Sequence, residues 1–148
     1  ILIGWARHSS ICLAHSVLLT LQSMTNTLYR QDIIERYRFP QYRGEIKTPD
    51  LQAEVVNSFC GDEVALYLKL AGDKQSVEAA RFSGEGCALM TASADMLCSI
   101  VERKPLAEIK NFTAGDLLQR YGQSPSPARL KCVLLPYEAL RRCRALFE

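Results

Sequence analysis

Between Leu28 and Arg38 the apolar residues Leu28, Ile33, Ile34 and Tyr37 recur at helical spacing, with Asn26 and Thr27 placed as N-caps and Pro40 placed to stop the helix. The period then drops to two. Leu51, Ala53 and Val55 alternate with Gln52 and Glu54, and Val64, Leu66, Leu68 and Leu70 alternate with Ala65, Tyr67 and Lys69, as in half-buried strands. Ala71-Gly72-Asp73-Lys74 reads as the turn that ends the second run. A third run, Ser76 to Ser83, sets Val77, Ala79 and Arg81 against Glu78, Ala80 and Phe82, so its buried face is unmarked. Short strands in succession, joined by turns, imply an antiparallel meander.

Past Ser83-Gly84-Glu85-Gly86 the pattern turns helical, and Leu89, Met90, Ala92, Ser93, Met96, Leu97 and Ile100 form a face of small and apolar residues, with the junction at Cys87. Pro105 is placed to open a short helix through Ile109, and Thr113 with Asp116 resembles a capping box for a helix ending near Gly122. After the loop Gln123 to Pro127, a last helix is expected from Arg129 to Phe147, with Arg141, Arg142 and Arg144 at the end where cations suit the helix dipole. Pro136 has no N–H for the carbonyl of Cys132, so this helix is expected to kink or begin late. Strands first and helices afterwards, without βαβ alternation, predict an α+β fold: a three-stranded antiparallel sheet packed with about five helices.

The 148 residues are 48% hydrophobic and 23% charged, which suits one globular domain. Eighteen Lys and Arg against sixteen Asp and Glu leave a formal charge of +2 without a concentrated basic face, which argues against a nucleic-acid partner. No run approaches the ~20 apolar residues of a bilayer-spanning helix. The best, Ile11 to Leu21, contains His15, Ser16 and Thr20, and as a signal-peptide core it lacks a small-x-small cleavage site across Leu21 to Thr25. No membrane partner is therefore expected. Met24 is followed by polar Thr25-Asn26-Thr27 and then the first helical pattern, so residues 1–23 read as an extension and 24–148 as the functional domain. Six Cys in a chain able to build its own core suit thiols kept reduced for chemistry in a cytoplasm better than a disulfide-stapled scaffold.

The candidate chemistry lies in those thiols. In Cys60-Gly61-Asp62, between two strands, a thiol and a carboxylate two positions apart would project to one side of an extended segment and share one metal ion. Gly61 lets that connection turn tightly. Cys87 follows Gly84-Glu85-Gly86 and opens a helix, where free N–H groups and the dipole favour a thiolate, as Arg129 and Lys131 would for Cys132. Each of these thiols taken singly also reads as a small buried hydrophobe. Cys98 and Cys143 fall in helical apolar patterns and read as core, and Cys12, His8 and His15 fall in the extension. With no His in 24–148, a Cys-His nucleophile pair is excluded there. Ser83-Gly84-Glu85-Gly86-Cys87 matches no phosphate-binding loop. The ligand spacing lacks the C-x-x-C pairs of zinc ribbons, yet three sulfurs and one carboxylate satisfy a tetrahedral zinc or an iron–sulfur cluster.

These residues resemble the U-type iron–sulfur cluster assembly proteins, the IscU, SufU and NifU N-terminal family. The matching stretches are Tyr29 to Gly44 (Tyr-x7-Tyr-x2-Pro-x3-Gly), Cys60-Gly61-Asp62, Phe82-x-Gly-x-Gly-Cys87-Ala88 with Ala92-Ser93, and Leu130-Lys131-Cys132 with Ala139-Leu140. The resemblance implies a three-stranded antiparallel sheet packed with helices. It also implies that Cys60, Asp62, Cys87 and Cys132 gather at one exposed end to bind zinc or a nascent [2Fe–2S] cluster. The implied function is a scaffold that takes sulfur from a cysteine desulfurase and passes clusters to apo iron–sulfur acceptor proteins. The alternative is a zinc-dependent sulfurtransferase that activates a SufS-type desulfurase. Cys132 is the expected sulfur acceptor, because it follows a Pro-containing loop in a helix loosened by Pro136, and Lys131 is expected to assist it. Two departures sort the branches. Lys131 stands where IscU-type members carry His, as in SufU-type members, and Ser126-Pro127-Ala128-Arg129-Leu130-Lys131 replaces the Leu-Pro-Pro-Val-Lys segment that a dedicated chaperone reads. The insertion usual in SufU-type members before the third Cys has no room in the loop Gly122 to Ala128.

Overall fold

A computed structural model describes residues 30–147; the expectations for residues 1–23, Asn26 and Thr27 lie outside that range. Helix α1 covers 30–38 and ends before Pro40, with the Phe39 N–H still on the Glu35 carbonyl at 2.8 Å. The strands are β1 (Leu51–Asn57), β2 (Asp62–Leu70) and β3 (Val77–Ser83), and they form one sheet in the order β1-β2-β3 with both pairs antiparallel. Helices α2 (Ala88–Val101), α3 (Leu106–Asn111), α4 (Ala114–Tyr121) and α5 (Pro127–Arg144) follow. The expected meander and α+β order are thus the observed ones.

Alternation in β1 comes out as read, with Leu51 and Val55 buried and Gln52 and Glu54 exposed. Central β2 is buried on both faces rather than half-buried. Tyr67 on its second face has Gln52 and Arg81 as its partners across the ladder, and its hydroxyl pairs with Ser83 Oγ at 3.0 Å. In β3 strict alternation placed Val77 opposite Ala80 and Phe82. A register shift corrects this: Lys69 pairs with Ala79 but Leu70 with Val77, so Glu78 is the extra residue of a bulge. Val77, Ala80 and Phe82, none more than 1% exposed, therefore all face the core.

Helices α2 and α5 cover that face. Met90, Ala94 and Leu97 of α2 and Leu135, Ala139 and Leu140 of α5 join the sheet residues in one buried cluster, each large side chain contributing about 2 kcal/mol. Small Ala92 and Ser93 let the two helices approach, and Ser93 Oγ donates to the Val133 carbonyl at 2.6 Å. Contrary to expectation, α5 begins early, with Pro127 in its first turn, and runs continuously through Pro136. A proline pre-set for helical φ opens it, and packing on the sheet and α2 outweighs the bond lost at Cys132. The capping box of α4 is present, with Gly122 left-handed after it.

Charges tie the periphery down. The Asp95 carboxylate, buried in α2, accepts from Arg36 Nη1 and from the Tyr42 N–H, both at 2.9 Å, and so fastens α1 and the chain after it. At the end of α5 the arginines act singly: Arg144 donates to the carbonyls of Ile109, Lys110 and Phe112 where α3 ends, and Arg142 to that of Glu54. No helix among the described residues is long and apolar enough to cross a membrane.

Candidate metal centre

The centre forms where one end of the sheet meets the starts of α2 and α5. Asn57 and Asp62 are ladder partners, so 58–61 form the β1–β2 turn. Asn57 shapes it twice: its Oδ1 accepts from the Phe59 N–H at 3.1 Å, and its carbonyl accepts from the Gly61 N–H at 2.8 Å. Gly61 sits at φ +73°, a left-handed geometry other residues adopt only at a cost. The segment is therefore a tight turn, not an extended stretch. Cys60 is exposed at its tip, while Asp62, the first residue of β2, is only 5% exposed.

Asp62 Oδ1 accepts the Cys87 N–H at 3.3 Å. Its Oδ2 is buried without a hydrogen-bond partner, which is costly for a carboxylate oxygen unless something cationic or protonated meets it. The approach of the 84–87 segment depends on Gly86, where an added Cβ would press on the side chains of Asp62 and Met90. Cys132 enters from the second turn of α5, 8% exposed, and its Sγ lies 3.7 Å from that of Cys60.

Ligand atoms of Cys60, Asp62 and Cys132 all lie within 4.8 Å of one another. Two thiolates about 2.3 Å from one tetrahedral ion lie roughly 3.8 Å apart, so the observed sulfur spacing and the unpartnered carboxylate oxygen fit a four-coordinate metal. Cys87 is half-buried at the N-cap of α2, with its N–H on Asp62 but its thiol outside that close group. Burial pushes the Cys132 thiol up to about 12, aided by the Cys60 thiol, the Cys87 charge and the Asp62 carboxylate. That is opposite to the direction expected from Arg129 and Lys131. A bound cation reverses the balance, since clustered anions that repel one another become its ligands.

Lys131 turns elsewhere. Its Nζ lies 4.3 Å from the centroid of the Phe59 ring, and both residues line a cleft of about 390 Å³ beside the β1–β2 turn, with Val56, Leu130 and Leu134. Phe59, 85% exposed immediately before Cys60, was not singled out from sequence; an aromatic residue in a turn between two strands was its one signal. Cys98 and Cys143 are fully buried core residues, as expected. The link between α4 and α5 is only 122–126, consistent with the absence of an insertion.

Comparison with known proteins matches residues 28–148 to the family of the NifU-like N terminal domain. The chain is 32% identical over 134 residues to the zinc-dependent sulfurtransferase SufU of Bacillus subtilis, covering 79% of this chain and 89% of that protein. It is 28% identical over 130 residues to the iron–sulfur cluster assembly scaffold protein IscU of Thermotoga maritima, covering 77% and 90%. Among solved structures, FiSufU from thermophilic Fervidobacterium islandicum AW-1 superposes with a TM-score of 0.63 at 27% identity, over 76% of this chain and 93% of that one.

Proposed function

The chain belongs to the NifU-like N-terminal domain family, and from that premise we propose that it is an iron–sulfur cluster assembly scaffold. In this reading it accepts sulfur from a cysteine desulfurase, holds iron, zinc or a nascent [2Fe–2S] cluster on Cys60, Asp62, Cys87 and Cys132, and passes the cluster to apo acceptor proteins. The observation that carries it is the meeting of ligand atoms of Cys60, Asp62 and Cys132 within 4.8 Å of one another, where Asp62 also has a buried carboxylate oxygen without a hydrogen-bond partner. Cys87, one hydrogen bond from Asp62, is the remaining thiol able to complete the set.

A bound zinc would keep the thiolates deprotonated and restrained until one ligand is exchanged. The chain supplies the rest. Exposure favours Cys60, at the tip of the turn, as the first sulfur acceptor over Cys132, which lies buried in α5. Its thiolate attacks the outer sulfur of the desulfurase persulfide, the sulfur–sulfur bond breaks, and the desulfurase cysteine leaves as a thiolate. Asp62 offers a hard oxygen among soft sulfurs and is the ligand easiest to exchange.

A second reading, a zinc-dependent sulfurtransferase activating a SufS-type desulfurase, is favoured by sulfur spacing that suits one tetrahedral ion. Metal analysis of protein purified without oxygen, followed by desulfurase assays with and without iron, separates the two. A stable [2Fe–2S] chromophore supports the scaffold. One tightly held zinc, with several-fold desulfurase stimulation and no cluster, supports the sulfurtransferase. Absence of both metal and stimulation would overturn both readings.

A further inference from the structure

The Cys60 and Cys132 sulfurs stand 3.7 Å apart, about 1.7 Å beyond a disulfide bond, and the two thiols have unequal access. Cys60 rides on a glycine-containing turn open to solvent, whereas Cys132 is fixed in a helix behind it. Sulfur delivered from outside must arrive on the solvent side of Cys60. Its inner sulfur then stays toward Cys132 and the added sulfur points away, which is the alignment for displacement at the inner atom. Cys87 is less well placed, because its thiol lies outside the close group.

We propose that Cys132 is a resolving thiol that releases the sulfur carried by Cys60 as sulfide. This rests on the reading of Cys60 as acceptor. When Cys60 bears a persulfide and no metal holds the pair apart, Cys132 gives up its proton and its sulfur attacks Cys60 Sγ. A Cys60–Cys132 disulfide forms, the bond to the terminal sulfur breaks, and that sulfur departs with the electron pair and, with the proton given up by Cys132, leaves as hydrogen sulfide. The sulfane sulfur is reduced and the two cysteines are oxidised, so this step needs no other reductant. A low-potential dithiol protein of the thioredoxin class then returns the disulfide to two thiols and is itself oxidised. With metal bound the two sulfurs serve as ligands, so release belongs to the metal-free chain.

The test uses the full chain stripped of metal by a chelator, treated with one equivalent of inorganic polysulfide and desalted, with intact mass and free sulfide followed in time. The wild type should gain one sulfur atom, then fall to a mass two hydrogens below the starting dithiol while releasing one sulfide per chain, and peptide mapping should find the Cys60–Cys132 disulfide. Cys132→Ser should retain the added sulfur, with release slowed at least about tenfold, and Cys143→Ala, a change at a core cysteine outside the centre, should behave as wild type. Equal release from wild type and Cys132→Ser, a disulfide elsewhere, or a wild-type persulfide that persists would overturn the resolving role. Mapping in the wild type decides the matter even if the Cys132 variant fails to fold. Failure of Cys60 to gain sulfur in either chain would overturn the acceptor reading, and this proposal with it.

Discussion

Cys132 and Cys143 lie on the same helix, are both buried and both have thiols pushed up to about 12, yet they belong to different chemistry. For Cys143 the cause is burial alone, among core side chains. For Cys132 burial is joined by the Cys60 thiol, the Cys87 charge and the Asp62 carboxylate. A buried thiol is therefore no guide to function by itself. A site is marked by polar neighbours that a bound cation would draw together as ligands.

The comparison breaks most sharply under substitution. Cys132→Ala should weaken zinc binding roughly a hundredfold or more, since each ligand carries a share of the ~10–16 kcal/mol of a structural zinc site. Cys143→Ala should leave zinc affinity unchanged and lower stability by about 1 kcal/mol through the small cavity it opens. Competition with a chromophoric chelator and thermal unfolding read the two effects separately.

Next in size is pH. Because its proton is held up to about 12, Cys132 must lose it to bind metal, so affinity should rise with pH, by up to about tenfold per unit for each thiol proton released. Folding has the opposite sign. Both thiols are raised from the usual 9, so the stability of the neutral forms is fully present below pH 9 and is lost as pH climbs toward 12. Bound metal should cancel only the Cys132 part, which thermal melts of loaded and stripped chains would detect.

Asp62→Ala sharpens the comparison at the oxygen ligand. Three thiolates remain to hold a cluster while the most exchangeable ligand is gone, so cluster transfer to an apo acceptor should slow by about tenfold with the cluster still bound. A variant that binds no metal at all would make Asp62 an essential ligand and favour the zinc reading. Lys131→Ala should change least. Its ammonium rests on Phe59, and an exposed contact of that kind is worth about 0.5–1 kcal/mol. Zinc stoichiometry should be unchanged and the alkylation rate of Cys132 at pH 7 should stay within about twofold; a larger fall at low salt would restore Lys131 to the mechanism as an electrostatic aid.

The sheet order and helix sequence were legible because alternation, a capping box and Gly/Pro stops are local signals, as in β1 and α4. The bulge at Glu78 was not, since inserting one residue in a ladder leaves composition unmarked and reverses the face of what precedes it. Nor was the continuity of α5, because the packing that holds Pro136 in a helix comes from residues distant in sequence. Candidate ligands could be named from residue type, element ends and family motif. Their unequal exposure depended on the tight Asn57–Asp62 closure, which placed Cys60 outside and Asp62 inside. Lys131 beside Cys132 in sequence suggested an electrostatic partner, but on a helix neighbouring residues point to different sides.

Cobalt substitution tests most directly the proposed holding of a metal ion or cluster by Cys60, Asp62, Cys87 and Cys132 together. The Co²⁺ chain should show the visible bands of a tetrahedral site with thiolate-to-metal charge transfer scaled to three sulfurs, falling by about a third in Cys60→Ser, Cys87→Ser and Cys132→Ser alike and not at all in Cys143→Ser. An octahedral spectrum, or charge transfer indifferent to those three substitutions, would contradict it.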